Sequence, residues 1–207
     1  MEWSLAPQVH AAKIADDLVL LDLGSGAYQC LPGAAFLVDA PVRRVLNEPP
    51  PVLAPFVRPG APPPPPLMLQ PGSRAASRPD RPLRGADAIA AFRHLGRMGR
   101  FYAGRSVRAL IEAAGPRPTG LLPTPDPEAC AEIAAARRAL VFTPGTGKCL
   151  LRSFLLLLEL RERGVNAHWV FGVRTWPFAA HCWLQAGEVV LDDHPDRLRA
   201  FTPILVA

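Results

Sequence analysis

Apolar positions along this chain follow two periods, divided by a stretch dominated by proline. In the first part, short apolar runs are cut by turn residues, so residues 9–14, 18–23 and 27–31 are expected as three strands. Asp16-Asp17 and Gly24-Ser25-Gly26 supply the turns between them. Helical segments are expected over 32–38 and 41–47, with Pro32 and Pro41 at the first helical positions. From Gly60 to Arg84 the density of proline, serine and arginine forbids a helix and reads as a linker, partly in polyproline II. Beyond it Ile89, Phe92, Leu95, Met98, Phe101, Tyr102, Val107, Leu110 and Ile111 recur every three or four residues, as on a core-facing helical stripe. Asp126-Pro127-Glu128 opens a further helix with an N-cap and proline at its first position, running to about Leu140.

The stretch from Gly145 to Asp193 carries the chemistry. Gly145-Thr146-Gly147-Lys148 makes a turn, and from Cys149 no Pro or Gly interrupts the chain until Gly164. The intervening residues are apolar on nearly every face, so this helix should be buried, with Arg161, Glu162 and Arg163 at its wet end. Cys149 therefore sits in the first helical turn, where free N–H groups and the positive end of the helix dipole lower the cost of a thiolate. After Gly164 the period changes. Residues 167–173 and 180–185 read as strands, and a turn at Ala186-Gly187 returns the chain through 188–191 into Asp192-Asp193. His181 on the second strand could take the Cys149 proton while a carboxylate at the next strand end fixes its tautomer. The doubled aspartate leaves Asp193 or Asp192 for that role; Cys182 should alternate to the face opposite His181. His168 lacks a following strand-end carboxylate and reads as a core or surface residue, and His194 as a solvated loop residue. Gly145–Cys149 also imitates the end of a phosphate loop, but Phe142 and Cys149 stand where glycine and Ser or Thr are required.

Cysteine at a helix start, His181-Cys182-Trp183 on a strand and Asp193 ending the next resemble the transglutaminase-like cysteine proteases. The closer likeness is to the lasso peptide maturation proteases. It is carried by Lys148-Cys149-Leu150 with the leucine-rich helix, Arg163-Gly164-Val165-Asn166-Ala167, Phe171-Gly172-Val173-Arg174, Phe178-Ala179-Ala180-His181-Cys182-Trp183 and Val190-Leu191-Asp192-Asp193, within residues 86–207. Cys182 departs from the small residue more often found there. The strand-end motif implies Asp193 as third member of the triad, with Asp192 the alternative. In the first part, Leu20-Leu21-Asp22-Leu23 before a Gly-rich turn and an aromatic strand resembles the domain that binds leader peptides of ribosomally made natural products. There the leader adds as a strand, which on this chain implies the edge Ala27, Tyr28, Gln29, Cys30 and Leu31. In place of that family's long final helix this chain has Pro49-Pro50-Pro51, a short apolar run over 52–57 and further prolines from Pro59 to Pro66.

The implied fold is α+β, with a strand-rich, winged-helix-like peptide-recognition domain over 1–60, a proline-rich linker over 61–85 and a transglutaminase-like, papain-like protease domain over 86–207. The implied function is a leader peptidase that binds a precursor peptide and cuts leader from core with Cys149, His181 and Asp193. It needs no cofactor or metal, and an ATP-dependent macrolactam synthetase acts next. A transglutaminase-like acyl transferase and a non-catalytic carrier of the precursor peptide are the alternatives.

Composition narrows the remaining classes. A hydrophobic fraction of 49% supports a real core. The net charge of +5 comes largely from arginines such as Arg74, Arg78, Arg81, Arg84, Arg93, Arg97 and Arg100, read as a solvated basic face; no nucleic-acid recognition motif accompanies them. Cys30, Cys130, Cys149 and Cys182 have no metal-site spacing and suit a reducing cytoplasm. The N-terminus has no secretory signature, and the apolar run 154–158 is too short to span a membrane.

Overall fold

The computed structural model describes residues 2–40, 42–76 and 85–207 of an α+β chain. After β1 (Trp3–Leu5), the strands β2 (Val9–Ile14), β3 (Asp17–Asp22) and β4 (Ala27–Leu31) form an antiparallel sheet in the order β2-β3-β4. Three of the strands expected from the sequence thus lie where alternation placed them. The helices expected over 32–38 and 41–47 do not form. In their place stand a single 3-10 turn at Ala35–Leu37 and two short strands, β5 (Val38–Asp39) and β6 (Arg44–Val45), paired through Val38 and Val45. Arg43 closes that hairpin at φ +60°, a conformation no right-handed helix admits; Pro41 lies outside the described residues. With β7 (Val57–Pro59) these strands make a second sheet, β5-β6-β1-β7.

The unbroken apolar run Leu18-Val19-Leu20-Leu21 on β3 has a physical reason: both faces of the strand are covered. Leu18 and Leu20 meet Leu5, Val38 and Val45 of the second sheet, with Leu53 from the turn before β7. Val19 and Leu21, with Ala12 of β2, belong to the core of the C-terminal half.

The remaining proline-rich residues lie along the rest of the molecule. Leu69 is buried with Val170, Trp183 and Leu198, and β8 (Arg74–Ala75) adds a parallel edge to the large sheet. The Gln185 side chain holds the segment, donating to the Gln70 carbonyl at 2.9 Å and accepting from the Gly72 N–H at 2.9 Å. A Cβ at Gly72 would stand 2.7 Å from the Glu188 carbonyl oxygen, so only glycine allows this approach. Residues 77–84 of the expected linker, with Arg78, Arg81 and Arg84, lie outside the described residues.

Helix α1 (Gly85–Arg97) runs into a π-helical turn at Met98–Tyr102, followed by α2 (Val107–Ala114), α3 (Pro127–Val141) and α4 (Cys149–Glu162). Asp126 caps α3 as its sequence suggests, accepting from the Ala129 N–H at 2.8 Å. Strands β9 (His168–Arg174), β10 (Ala179–Ala186) and β11 (Val189–Val190), the short α5 (Pro195–Leu198) and β12 (Thr202–Val206) complete the chain. The sheet order is β12-β9-β10-β11-β8, and α4 packs across β10. Ala186 pairs with Val189, so the tight turn is Gly187-Glu188, one residue later than expected, with Gly187 at φ +54°. No helix among the described residues is long and apolar enough to cross a membrane.

Helix α1 departs most from its pattern. Ile89 and Phe92, expected to face the core, are 67% and 76% exposed. The inward face instead carries His94 and Arg97, and the exposed Arg93 reaches in from the rim; they meet the buried carboxylate of Glu159 on α4 at 3.4, 2.8 and 3.1 Å. Arg163 adds a contact at 2.8 Å. Arg97 is thus the partner of a buried acid and not a member of a solvated basic stripe, while Arg93 both pairs with that acid and faces solvent.

Candidate active site

Cys149 begins α4, after a turn in which Gly145 adopts φ +79°. Among the described residues no side chain caps this helix, so the N–H groups of its first turn are free to receive a negative charge. The large sheet brings His181 and the aspartates to this end. His181 opposes Gly172 on β9, where a Cβ would lie 2.8 Å from the Trp183 ring. The missing side chain lets Trp183 lie flat, and its ring stacks beside His181 at 6.4 Å, with Phe201 at 5.3 Å on another side. The imidazole is therefore fixed by packing before any hydrogen bond is counted.

His181 Nε2 meets Asp193 Oδ2 at 2.6 Å, which leaves Nδ1 as the nitrogen that can act on Cys149. Asp193 is steadied in turn by Arg152 at 3.2 Å and by the His194 N–H at 2.8 Å. Asp192 points the other way. It accepts from Ser153 Oγ at 2.5 Å and from the Leu184 N–H at 2.8 Å, tying the strand end to α4. The structure thus brings Cys149, His181 and Asp193 together and gives Asp192 a supporting position.

The electrostatics match this geometry. The Cys149 thiol is held far below its ordinary 9.0, first by the neighbouring Cys182 side chain, against the cost of burial, then by His181 and the Cys182 N–H. Burial works to lower His181, yet its bonds to Asp193 and Cys149 outweigh that and raise it to about 9. Asp193 is lowered to about 2, burial being overcome by His181, the His194 N–H and Arg152. Together these describe a thiolate–imidazolium pair braced by a carboxylate.

Cys182 is a participant that alternation alone does not find. It does face away from the exposed side of His181, but the face it occupies lies under α4. Its sulfur is 3.9 Å from Ser153 Oγ, one helical turn after Cys149, and its own thiol is pushed well above 9.0, first by the Cys149 thiolate and then by burial. Tyr28 is a second. It is half-buried on β4 with its ring 5.9 Å from Phe178, and its hydroxyl is raised by burial first, then by the nearby charges of Cys182 and Cys149. Ala27, Tyr28, Gln29, Cys30 and Leu31 all lie on β4, which pairs with β3 on one side and with no strand of the described residues on the other. The loop between β9 and β10 bridges the halves here, Trp176 Nε1 donating to Asp17 Oδ2 at 2.7 Å. His194 is exposed at the start of α5, and His168 is buried at the far end of β9, so neither competes with His181.

One similar protein is the microcin J25-processing protein McjB of Escherichia coli, 44% identical over 48 residues, a match covering 23% of each chain. No solved structure was found to match. The sequence pattern of the transglutaminase-like superfamily matches residues 92–206, more than half of the chain and all of the triad. With cysteine, histidine and aspartate in that order on helix and strands, this chain belongs to the transglutaminase-like superfamily.

Proposed function

We propose that this protein is a leader peptidase of lasso peptide biosynthesis, cutting a ribosomally made precursor between leader and core. The observation that carries the reading is His181 held between Asp193, at 2.6 Å, and Cys149 at the start of a buried helix. Cys149 Sγ attacks the scissile carbonyl carbon, and the first-turn N–H groups of α4 take the developing oxyanion charge. His181, already protonated, gives its proton to the leaving amine of the core, and a thioester to the leader remains. His181 then draws a proton from water, whose oxygen displaces Cys149 and leaves a carboxylate on the leader. Asp193 keeps the imidazole oriented and stabilises its charge throughout. The core amine so released is the group that an ATP-dependent macrolactam synthetase would acylate. McjB's role as a processing protein supports this reading, as does the nearness of the free β4 edge to the cysteine: a leader paired along residues 27–31 would pass beside Tyr28.

Mass spectrometry of a precursor peptide incubated with the protein tests the proposal. Hydrolysis gives the free core and a leader ending in a carboxylate, and Cys149→Ala abolishes both products while leader binding persists. Addition of an amine's mass to the leader would instead make the protein an acyl transferase, and an intact precursor would make it a carrier.

A further inference from the structure

A cavity of about 570 Å³ lies at the seam between the N-terminal strands and the catalytic half, walled on one side by residues 63–66 and Leu67. On the other side stand His10, Arg43, Arg117 and His168, from β2, the β5–β6 turn, the α2–α3 connection and β9. His10, Arg43 and His168 each carry a buried nitrogen without a partner among the described residues, and Arg117 is exposed at the rim. His168 is 1% exposed and points toward the Gly120 carbonyl, yet neither ring nitrogen completes a hydrogen bond. His10 Nδ1 and Arg43 Nε are also buried without partners among the described residues. Arg43 sends Nη2 to the carbonyls of Ala6, Pro7 and Val9 at 2.6, 2.9 and 2.7 Å, and it has no carboxylate within ion-pair distance among the described residues.

A buried guanidinium faced only by carbonyl dipoles is an uncompensated charge. Burial first, then Arg43 and Arg117, lowers His10 to about 4, so its ring is neutral near pH 7 and carries one N–H to donate. Among the described residues no acid lines the cavity, and the space suits a small molecule. We propose that this cavity binds a small-molecule oxyanion, a carboxylate or phosphate group, between His10, Arg43, Arg117 and His168, its apolar remainder lying on Pro63 to Pro66, Leu67 and Val206. The site is separate from the cleavage centre. His168 pairs with Gln185 and His181 with Gly172, four residues further along β9, about 13 Å away. An anion held here would touch both halves of the molecule at once.

The test uses the whole chain, titrated with inorganic phosphate and separately with acetate, ionic strength held constant with sodium chloride. Calorimetry should show saturable binding of at least one of the two. The imidazole resonances of His10 and His168 should shift with the same midpoint while that of His181 stays in place. Phosphate alone binding would assign a phosphate group, and acetate alone a carboxylate. Arg117→Ala, at an exposed position, should weaken binding about tenfold, as expected for one charge-assisted contact. His168→Phe should do the same; if it fails to fold, Arg117→Ala decides. No saturable binding of either anion, unchanged affinity in Arg117→Ala, or shifts confined to other histidines would overturn the proposal.

Discussion

Cys182 and Asp192 each stand next to a triad residue in sequence, and the structure separates their work from that of their neighbours. Cys182 favours the Cys149 thiolate, and its removal leaves that charge with His181 and a main-chain N–H. Cys182→Ala should therefore shift the onset of Cys149 alkylation by iodoacetamide upward toward 9.0 and slow cleavage about tenfold, the weight of one hydrogen bond to a charge. Cys182→Ser, which keeps a donor, should restore most of the loss. In the unaltered protein, alkylation should already be fast well below pH 9 and change again only near 9, where His181 loses its proton. An unchanged alkylation profile in Cys182→Ala would remove it from the thiolate's surroundings. Asp193→Ala and Asp192→Ala should divide along the same line. Loss of Asp193 takes away the carboxylate 2.6 Å from His181 and should cut kcat about 10⁴-fold with the melting temperature little changed. Loss of Asp192 unties Ser153 and the Leu184 N–H and should lower the melting temperature, with a smaller fall in kcat. The grouping of Cys149, His181 and Asp193 was legible because a glycine-rich turn, a helix start and a strand end are local signals. The approach of Tyr28 to Phe178 near this centre was not, because it depends on how two sheets come together.

At the scale of elements, what the sequence revealed depends on which surfaces each element buries. Strands β2 to β4 and helices α3 and α4 were legible because turns, or the Asp126 cap of α3, bound them and no Pro or Gly interrupts them after their first residue. Helix α1 was legible as a helix but not in its orientation. Its apolar stripe predicts a core face, yet Glu159, set among leucines on α4, needs cations and draws Arg93 and Arg97 inward. The only hint was that single acid inside Leu155 to Leu160. This buried cluster makes a prediction. The Glu159 carboxyl is held far below its ordinary 4.5, first by His94, against the cost of burial, then by Arg97 and Arg163. A depressed carboxyl contributes stability that is present above its unfolded value and lost as pH falls below it. Glu159→Gln should lower stability at pH 7 by about 3 kcal/mol in urea denaturation, because it leaves buried cations without their anion. The gap between variant and parent should narrow as pH falls below 4.5; a gap that stays constant would mean the cluster is not held by charge.

For the whole molecule, the question is whether the N-terminal sheet exists to hold a leader or to complete a core. It does complete one: Ala12, Val19 and Leu21 are buried with Phe154, Trp169 and Leu184. Removing residues 1–60 would uncover that surface, so activity lost in such a fragment would say little about a leader. The free edge of β4 gives a cleaner test in the intact chain. N–H groups along a strand point alternately to either side, so of prolines placed at Gln29 and at Cys30 one interrupts the ladder to β3 and the other removes a donor from the open edge. The first should lower the melting temperature. The second should leave it nearly unchanged while weakening leader binding in fluorescence anisotropy, and should slow precursor cleavage at low substrate concentration more than at saturation, because it takes away docking and leaves the Cys149 chemistry intact. Single alanine changes at Gln29 and Cys30 should do less than the edge proline, since main-chain pairing carries the affinity. If the proline that preserves the melting temperature also preserves leader affinity, the leader binds elsewhere and the β4 edge serves the core alone.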